Sequence, residues 1–168
     1  MSASMKQQNT VYCGGFTLIE LMIVISILGI LVGIAIPKFV SMTRKSNEAA
    51  TKGNLGAIRG ALSIYYCQNE GVYPKSPGSS MIIPVYTADI SYLQTALVPK
   101  YITKWPYCYV PPYHNKTNTV DGYSTFAKLD DTCDGEWAYI GNQNDAKWGT
   151  IFVECWHTDS KGDYISGW

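Results

Sequence analysis

The sequence has 168 residues, with 13 basic and 13 acidic side chains and a formal net charge of zero. This length allows one modest domain with an appendage. The charge balance excludes a global field that would draw the chain to nucleic acid, so nucleic acid is not an expected partner. Hydrophobic residues make up 46% of the chain. They are concentrated in one block near the start, and the rest is polar, aromatic and rich in glycine and proline.

The apolar block covers residues 16–36, and its only ionisable side chain is Glu20. As an α-helix this segment reaches about 31 Å, which matches a bilayer hydrocarbon core of about 30 Å. We therefore predict a membrane-spanning helix. A buried core helix is a weaker alternative, because the run has no polar face. A secretory signal cut after Ala35 is another alternative, although the usual apolar region of such signals is only about 7–15 residues long.

Glu20 requires an explanation, because a carboxylate in a spanning helix costs at least about 2.5 kcal/mol on insertion scales. The simplest explanation is that Glu20 lies near the membrane boundary and stays hydrated. A cut just before Phe16 would create a free α-amino group nearby. The hypothesis is that the amine of a neighbouring subunit neutralises Glu20 when the helices pack together.

Beyond Pro37 the pattern becomes amphipathic. Pro37 lacks a backbone donor and is expected to kink the helix. Apolar residues then recur at spacings of three and four, at Leu55, Ile58, Leu62 and Tyr65. We predict one helix from about Thr17 to Gln68, with Gly71 as a left-handed cap.

The remainder of the chain is predicted to form a globular head. Asp89 is expected to cap a short helix that ends at Leu97. β-Branched and aromatic residues predict strands, near Cys108–Val110, Tyr123–Leu129, Trp137–Ile140 and Thr150–Trp156. The expected fold class is α+β, with a long N-terminal helix packed on a small antiparallel β-sheet.

The string GGFTLIE at residues 14–20, which opens the apolar helix, resembles the N-terminal signature of type IV prepilins and type II secretion pseudopilins. The resemblance implies that a prepilin peptidase cuts between Gly15 and Phe16 and that Phe16 is N-methylated. It also implies that Glu20 sets subunit registration and that Pro37 loosens the helix during assembly. The chain then divides into a leader at 1–15, a filament-core helix at 16–36, an amphipathic half at 37–69 and a head at 70–168.

The implied function is that of a structural subunit of a type IV pilus-like filament or a type II secretion pseudopilus, not an enzyme. The implied partners are further copies in a helical homopolymer, prepilin peptidase, an inner-membrane assembly platform, minor pilins and, before assembly, membrane lipid. The expected location is the cytoplasmic membrane with the head outside, although Lys38, Arg44 and Lys45 favour the opposite orientation by the positive-inside rule. An alternative of another class is a single-pass anchored binding module, which would keep its N-terminus.

Cys13 would leave with the leader, and the mature chain would keep four cysteines, Cys67, Cys108, Cys133 and Cys155. An even number in an extracytoplasmic domain indicates two disulfides, with three pairings open. The preferred set pairs Cys67 with Cys108 and Cys133 with Cys155. The rival is a metal site that joins Cys133, Cys155 and His157, which the lack of a paired C-x-x-C spacing disfavours. His114 is expected to be a solvated side chain.

The end of the chain, residues 159–168, resembles the close of the major pseudopilin of type II secretion, with an acidic loop before a terminal tryptophan segment. The resemblance implies that the loop binds Ca²⁺, with Asp159 and Asp163 as the candidate ligands. Calcium takes carboxylate and carbonyl oxygens in flexible loops. A plain turn accounts for the same residues, and no cofactor is required by the sequence.

Overall fold

The computed structural model describes residues 15–75, 91–123 and 133–168, together with the backbone of Tyr86 and Thr87. Helix α1 covers Leu18–Gln68 and helix α2 covers Ser91–Leu97. The strands are β1 at Tyr86–Thr87, β2 at Val120–Tyr123, β3 at Trp137–Ile140 and β4 at Ile151–Val153. A 3₁₀ turn covers Ile165–Gly167. The chain forms two compact units, Met1–Val40 and Ser41–Trp168.

Helix α1 confirms the predicted helix to within one residue, and Pro37 lies inside it. By length and composition α1 contains a stretch able to cross a membrane. Its end also agrees with prediction, since Gly71 has a φ of 81° and its N–H donates to the Tyr66 carbonyl at 3.0 Å. Glu70 precedes it with a φ of 54°. The helix therefore closes with two residues in the left-handed region, where the sequence predicted one.

The four strands form one sheet in the order β1-β2-β3-β4. The outer pairs are antiparallel, but β2 and β3 run parallel, with Val120 opposite Trp137. The α+β class is confirmed, and the expectation of a purely antiparallel sheet is wrong at this pair. The physical reason is the length of the connection. About a dozen residues separate β2 from β3, enough for a crossover and more than a tight hairpin uses.

The structure agrees with some of the predicted strands and not with others. The bounds of β3 agree with the prediction, whereas β4 ends at Val153, short of the predicted Trp156. The predicted strand at 108–110 is wrong, because Cys108 forms only an isolated bridge with Thr117. Prolines at 106, 111 and 112 flank this bridge, and proline has no N–H to extend a ladder. The predicted cap Asp89 and residues 124–129 of the predicted second strand lie outside the described residues.

The core of the head lies between α1 and one face of the sheet. Leu55, Ile58 and Leu62 of the predicted stripe are buried, and Tyr65 is partly buried against them. The same cluster contains Trp137, Tyr139, Ile151 and Val153 of the sheet and Ile165 of the 3₁₀ turn. The other face of the sheet carries a second buried cluster, Tyr123, Ala138, Ile140 and Phe152. Neighbouring residues of β4 therefore face opposite sides of the sheet, since Ile151 and Phe152 belong to different clusters.

The residues that follow β4, here called the C-terminal segment (residues 156–168), are held against α1 by charged side chains. The Arg44 Nη2 donates to the Thr158 carbonyl at 3.1 Å, and Nε contacts Glu48 Oε1 at 2.8 Å. The second oxygen of Glu48 accepts the Ser160 N–H at 3.0 Å. Glu48 is only 4% exposed, so its carboxylate is stabilised by these donors instead of by water.

Lys52 and Arg59 extend this anchoring along α1. Lys52 Nζ lies 2.9 Å from Asp159 Oδ2 and also sits over the Trp168 ring, 4.4 Å from its centroid. Arg59 Nη2 donates to the carbonyl oxygens of Trp168 and Ile151 at 2.6 Å and 3.0 Å. Side chains spaced at one or two turns of α1 therefore bind successive points of the C-terminal segment.

Replacing Lys52 by methionine is expected to destabilise the head by about 2–4 kcal/mol, because Asp159 would keep a buried charge without its cation. The measurement is chemical denaturation followed by circular dichroism. Lys161→Met is the matched control, because Lys161 contributes only its backbone N–H to the hydrogen bonds described for this loop, and it is expected to change stability by less than about 0.5 kcal/mol. Equal effects of the two substitutions would contradict this assignment.

The head is also expected to lose stability in acid. Burial alone raises the pKa of Asp159, but hydrogen bonds from Lys52 and from the amides of Lys161 and Asp163 outweigh it and lower the pKa to about 2. Burial also raises the pKa of Glu48, but hydrogen bonds from Ser160 and Arg44 outweigh it and lower the pKa. A carboxylate with a lowered folded-state pKa contributes stability above its unfolded pKa and loses it as the pH falls through the folded value.

The expected result is a melting temperature that is steady near neutral pH and falls progressively from about pH 5 to about pH 2. Asp159→Asn removes one of the two carboxylates, so its melting temperature is expected to start lower and to depend less on pH in this window. A wild-type melting temperature that stays constant down to about pH 2 would rule out this linkage.

Candidate functional site

The N-terminal candidate site begins just before α1. Gly15 and Phe16, the residues predicted for cleavage and methylation, lie outside the helix and are exposed, Phe16 by 82%. Their position is that of an accessible segment leading into a helix. Cleavage and methylation themselves stay predictions.

Thr17 and Glu20 bind each other reciprocally at the start of α1. The Thr17 N–H and hydroxyl both donate to Glu20 Oε2, at 2.9 Å and 2.7 Å, and the Glu20 N–H donates to Thr17 Oγ1 at 3.3 Å. This arrangement is a capping box, which satisfies backbone donors at a helix N-terminus. The sequence prediction assigned Glu20 a role between subunits and missed this one within the subunit, although the T-x-x-E spacing is its signature.

The first part of α1 presents a largely apolar surface, defined here as residues 16–42, in which Glu20 and Lys38 are the charged residues. All its large apolar side chains are exposed, including Ile19 at 66% and Ile34 at 69%. Pro37 lies within this surface, and because it has no N–H it leaves the carbonyl four residues earlier without its helical donor. Such a surface is stable only against lipid or against other apolar helices.

The acidic loop near the C-terminus is already hydrogen-bonded within the head. Asp159 Oδ1 accepts the N–H groups of Lys161 and Asp163 at 2.8 Å and 3.1 Å, and Oδ2 binds Lys52. Asp163 is exposed, and its carbonyl accepts the Asp159 N–H at 2.8 Å. A Ca²⁺ ion on Asp159 would have to displace the Lys52 ammonium. The calcium role of Asp159 and Asp163 stays a prediction.

The four cysteines of the predicted mature chain are free thiols in the structure. Cys67 is exposed near the end of α1, whereas Cys108 is buried in the core. Burial, with additions from Cys155 and Glu136, raises the pKa of Cys108 to about 12. The thiol therefore stays protonated and behaves as an apolar core group. The two predicted disulfide pairings are not confirmed and stay predictions.

Two of these cysteines meet the two histidines of the sequence. One ligand atom each from His114, Cys133, Cys155 and His157 lies within 4.8 Å of all the others. The expectation of a solvated His114 is wrong: the side chain is half-buried, with Nε2 3.3 Å from His157 Nδ1. The local reason is a turn in which the His114 N–H donates to the Val110 carbonyl at 3.0 Å.

Burial shifts the pKa values of two side chains in this cluster. Burial lowers the pKa of His114, and the neighbouring His157 lowers it further. Burial raises the pKa of Cys155 to about 12. The metal hypothesis drawn from the sequence contained three of the four residues and omitted His114. The sequence indicated the cluster only through the C-x-H spacing of Cys155 and His157. Two residues with this spacing point to the same side when the backbone is extended.

The family comparison matches the chain in the same N-terminal segment. Residues 12–36 match the family described as the prokaryotic N-terminal methylation motif. The type IV narrow pilus major component PilA5 of Thermus thermophilus is 50% identical over 58 residues, which are 34% of this chain and 50% of that protein. No solved structure matches the chain.

Two proteins of the secretion type are also similar. The type II secretion system core protein G of Pseudomonas aeruginosa is 42% identical over 55 residues, 33% of this chain and 39% of that protein. The protein of the same name from Vibrio cholerae is 29% identical over 137 residues, 77% of this chain and 91% of that protein. The chain spans about half the length or less of the first curated relatives it matches. The N-terminal segment thus carries the prokaryotic N-terminal methylation motif, and these relatives of the chain are a type IV pilus component and type II secretion core proteins.

Proposed function

We propose that this chain is a structural subunit of a type IV pilus-like filament or a type II secretion pseudopilus, processed by prepilin peptidase between Gly15 and Phe16 and assembled through α1. The observation that carries the proposal is the exposed apolar surface at residues 16–42, which begins within the methylation motif. A subunit with this function needs no catalytic residues.

The proposed course begins in the cytoplasmic membrane, where lipid covers the apolar surface and the helix satisfies its own backbone groups. In the filament, the α1 helices of other copies replace the lipid. Because lipid tails are as apolar as leucine, the exchange has to gain from close packing and from polar pairs between helices. Glu20 is the only ionisable residue at 16–36 and therefore the natural member of such a pair.

The geometry of Glu20 suits this role. Its Oε2 is bound to Thr17, whereas its Oε1 has no hydrogen-bond partner within residues 15–75, 91–123 and 133–168. Under the proposal, Oε1 accepts the methylated amine of Phe16 from an adjacent copy while Oε2 keeps the helix cap. In the water-free centre of a filament this pair neutralises a charge that would otherwise be costly.

Of the two filament types, the pseudopilus has the more specific support. The similarity to the Vibrio cholerae core protein G extends over 77% of the chain and thus into the head. The pilus component of Thermus thermophilus matches within 34% of the chain, about the same share as the Pseudomonas aeruginosa core protein G. The surface pilus is the second candidate, supported by the higher identity of that pilus component.

The proposed partners are other copies of this chain, prepilin peptidase, an inner-membrane assembly platform and minor pilins. The proposed location of the head is outside the cytoplasmic membrane. Of the three basic residues that argue for the reverse orientation, Arg44 is paired with Glu48 and the C-terminal segment, which weakens that argument. The alternative, an anchored binding module, differs in keeping an intact N-terminus.

Processing gives the first test. Native protein purified from its own cells is expected to begin at Phe16 and to be one methyl group heavier than the unmodified mature chain. Gly15→Val is expected to block the cut, whereas Gly53→Ala, where an added Cβ meets nothing within 4 Å, is expected to be processed normally. N-terminal sequencing with intact mass measurement is the readout. A native protein that retains its first residues would disprove the proposal and favour the anchored binding module.

Assembly gives the second test. A glutamine at position 20 removes the charge of the side chain but can still cap the helix, so the two roles of Glu20 can be measured separately. Glu20→Gln keeps an acceptor for the Thr17 N–H, so the helix start is expected to survive. The charge is lost, and filament yield is expected to fall by at least about tenfold, because a loss of about 1.4 kcal/mol per added subunit lowers the equilibrium constant for elongation tenfold.

Thr17→Val is the matched control, since it removes the cap at about 1 kcal/mol and keeps the charge. Filaments are expected to form from this variant. The measurement is electron microscopy of sheared filaments, normalised to the subunit found in the membrane fraction. Normal assembly of Glu20→Gln would show that the carboxylate charge has no part in the contact between subunits.

A further inference from the structure

We propose that His114, Cys133, Cys155 and His157 form a structural zinc site in the head, with all four side chains as ligands. The residues converge from three separate segments of the chain, which are the turn after Val110, the residues before β3 and the residues after β4. The proposal goes beyond the filament function and does not depend on it.

Four of the six distances between ligand atoms in the cluster are close to those of a tetrahedral zinc site, and the other two are within 4.8 Å. With Zn–S bonds of about 2.3 Å and Zn–N bonds of about 2.0–2.1 Å, a tetrahedron separates two nitrogens by about 3.3–3.4 Å and a nitrogen from a sulfur by about 3.5–3.6 Å. The two histidine nitrogens lie 3.3 Å apart. Cys133 Sγ lies 3.5 Å from each of them, and Cys155 Sγ lies 3.3 Å from His157 Nδ1.

Hydrogen bonding cannot account for this arrangement. The Nδ1 of His157 lies within 3.5 Å of three atoms, one each from His114, Cys133 and Cys155. A ring nitrogen of a neutral histidine makes one hydrogen bond, either as donor or as acceptor. At most one of the three contacts can therefore be a hydrogen bond, whereas one cation at the centre accounts for all of them.

The surroundings orient the ligands as in known metal sites, where outer contacts fix the direction of each ligand. The His157 ring stacks on Tyr113, with centroids 3.8 Å apart and planes 11° apart. The Trp156 N–H lies 3.2 Å from Cys133 Sγ. An N–H directed at a sulfur stabilises the thiolate, which is the form that binds a metal.

Gly135 makes the approach of His114 feasible. Its φ is 73°, a left-handed conformation, and a Cβ added there would lie 2.5 Å from both Cβ and Cγ of His114. Any other residue would push the imidazole out of the cluster. The space beside Cys133 is thus kept open for a second ligand from a distant segment.

The set of ligands selects the metal and its role. Two thiolates and two neutral imidazoles balance the two positive charges of Zn²⁺, and a tetrahedral site with two sulfur and two nitrogen ligands is typical of zinc. Four protein ligands leave no open coordination position, so the site is structural and not catalytic. The ion would fasten the start of the C-terminal segment, complementing the charged contacts that fasten its later part to α1.

The test uses the full native chain, purified in detergent without chelators and under a reducing agent. Zinc per chain is measured by plasma mass spectrometry, and a second sample, prepared without reductant, is weighed intact after denaturation. Wild type is expected to hold one zinc ion and to carry no disulfide between Cys133 and Cys155. Cys133→Ser and His114→Asn are expected to lose the metal, and Cys67→Ser, an exposed cysteine outside the cluster, is expected to keep it.

A variant can also lose its metal because it misfolds. Cobalt substitution avoids this ambiguity, because it is carried out on the wild-type chain with all four ligands. Co²⁺ exchanged into the wild-type chain is expected to give the intense visible bands of tetrahedral coordination and a thiolate charge-transfer band. A weak octahedral spectrum would overturn the proposal. A metal-free wild-type chain lighter by the two hydrogens of a Cys133–Cys155 disulfide would overturn it as well, and so would zinc retained by both cluster variants.

Discussion

The head depends on a set of charges that are buried between α1 and the C-terminal segment. Glu48 and Asp159 are 4% and 6% exposed, and each is bound by a cationic side chain and by backbone N–H groups. A buried carboxylate tolerates little displacement of its donors, because an unmatched charge in this environment is far more costly than a lost apolar contact. These contacts therefore fix the position of the C-terminal segment, and with it Ile165, which fills the core beside α1.

Periodicity in the sequence predicted those parts of the fold that local spacing determines. The stripe of α1 at Leu55 and Ile58 follows from a repeat of 3.6 residues, and the strand at 137–140 follows from its aromatic and apolar composition. The direction of β2 relative to β3 depends on the path of the chain between them, about which periodicity says nothing. At 108–110, strand propensity was outweighed by flanking prolines, which limit the pairing to a single bridge.

The candidate sites also differ in how far local sequence predicts them. The methylation motif could be recognised from the sequence because it is one continuous segment, residues 12–36. The capping role of Glu20 is equally local, but the sequence prediction assigned this carboxylate only to a contact between copies of the chain. The cysteine and histidine cluster is assembled by the tertiary fold from residues up to 43 positions apart. Within the local sequence, only the spacing of Cys155 and His157 indicated this cluster. His114 could not be assigned to the cluster before the turn after Val110 was known.

Under the proposed assembly, the capping box bears on the kinetics of polymer growth. A glutamate side chain that is free to rotate loses about 0.5–1.5 kcal/mol of conformational entropy when a contact immobilises it. In this subunit Thr17 already restrains Glu20 before any second copy arrives. The acceptor is thus preorganised, and most of that entropic loss falls on helix formation instead of on each elongation step. A change at Thr17 would accordingly slow the growth of filaments more than it would alter their final architecture.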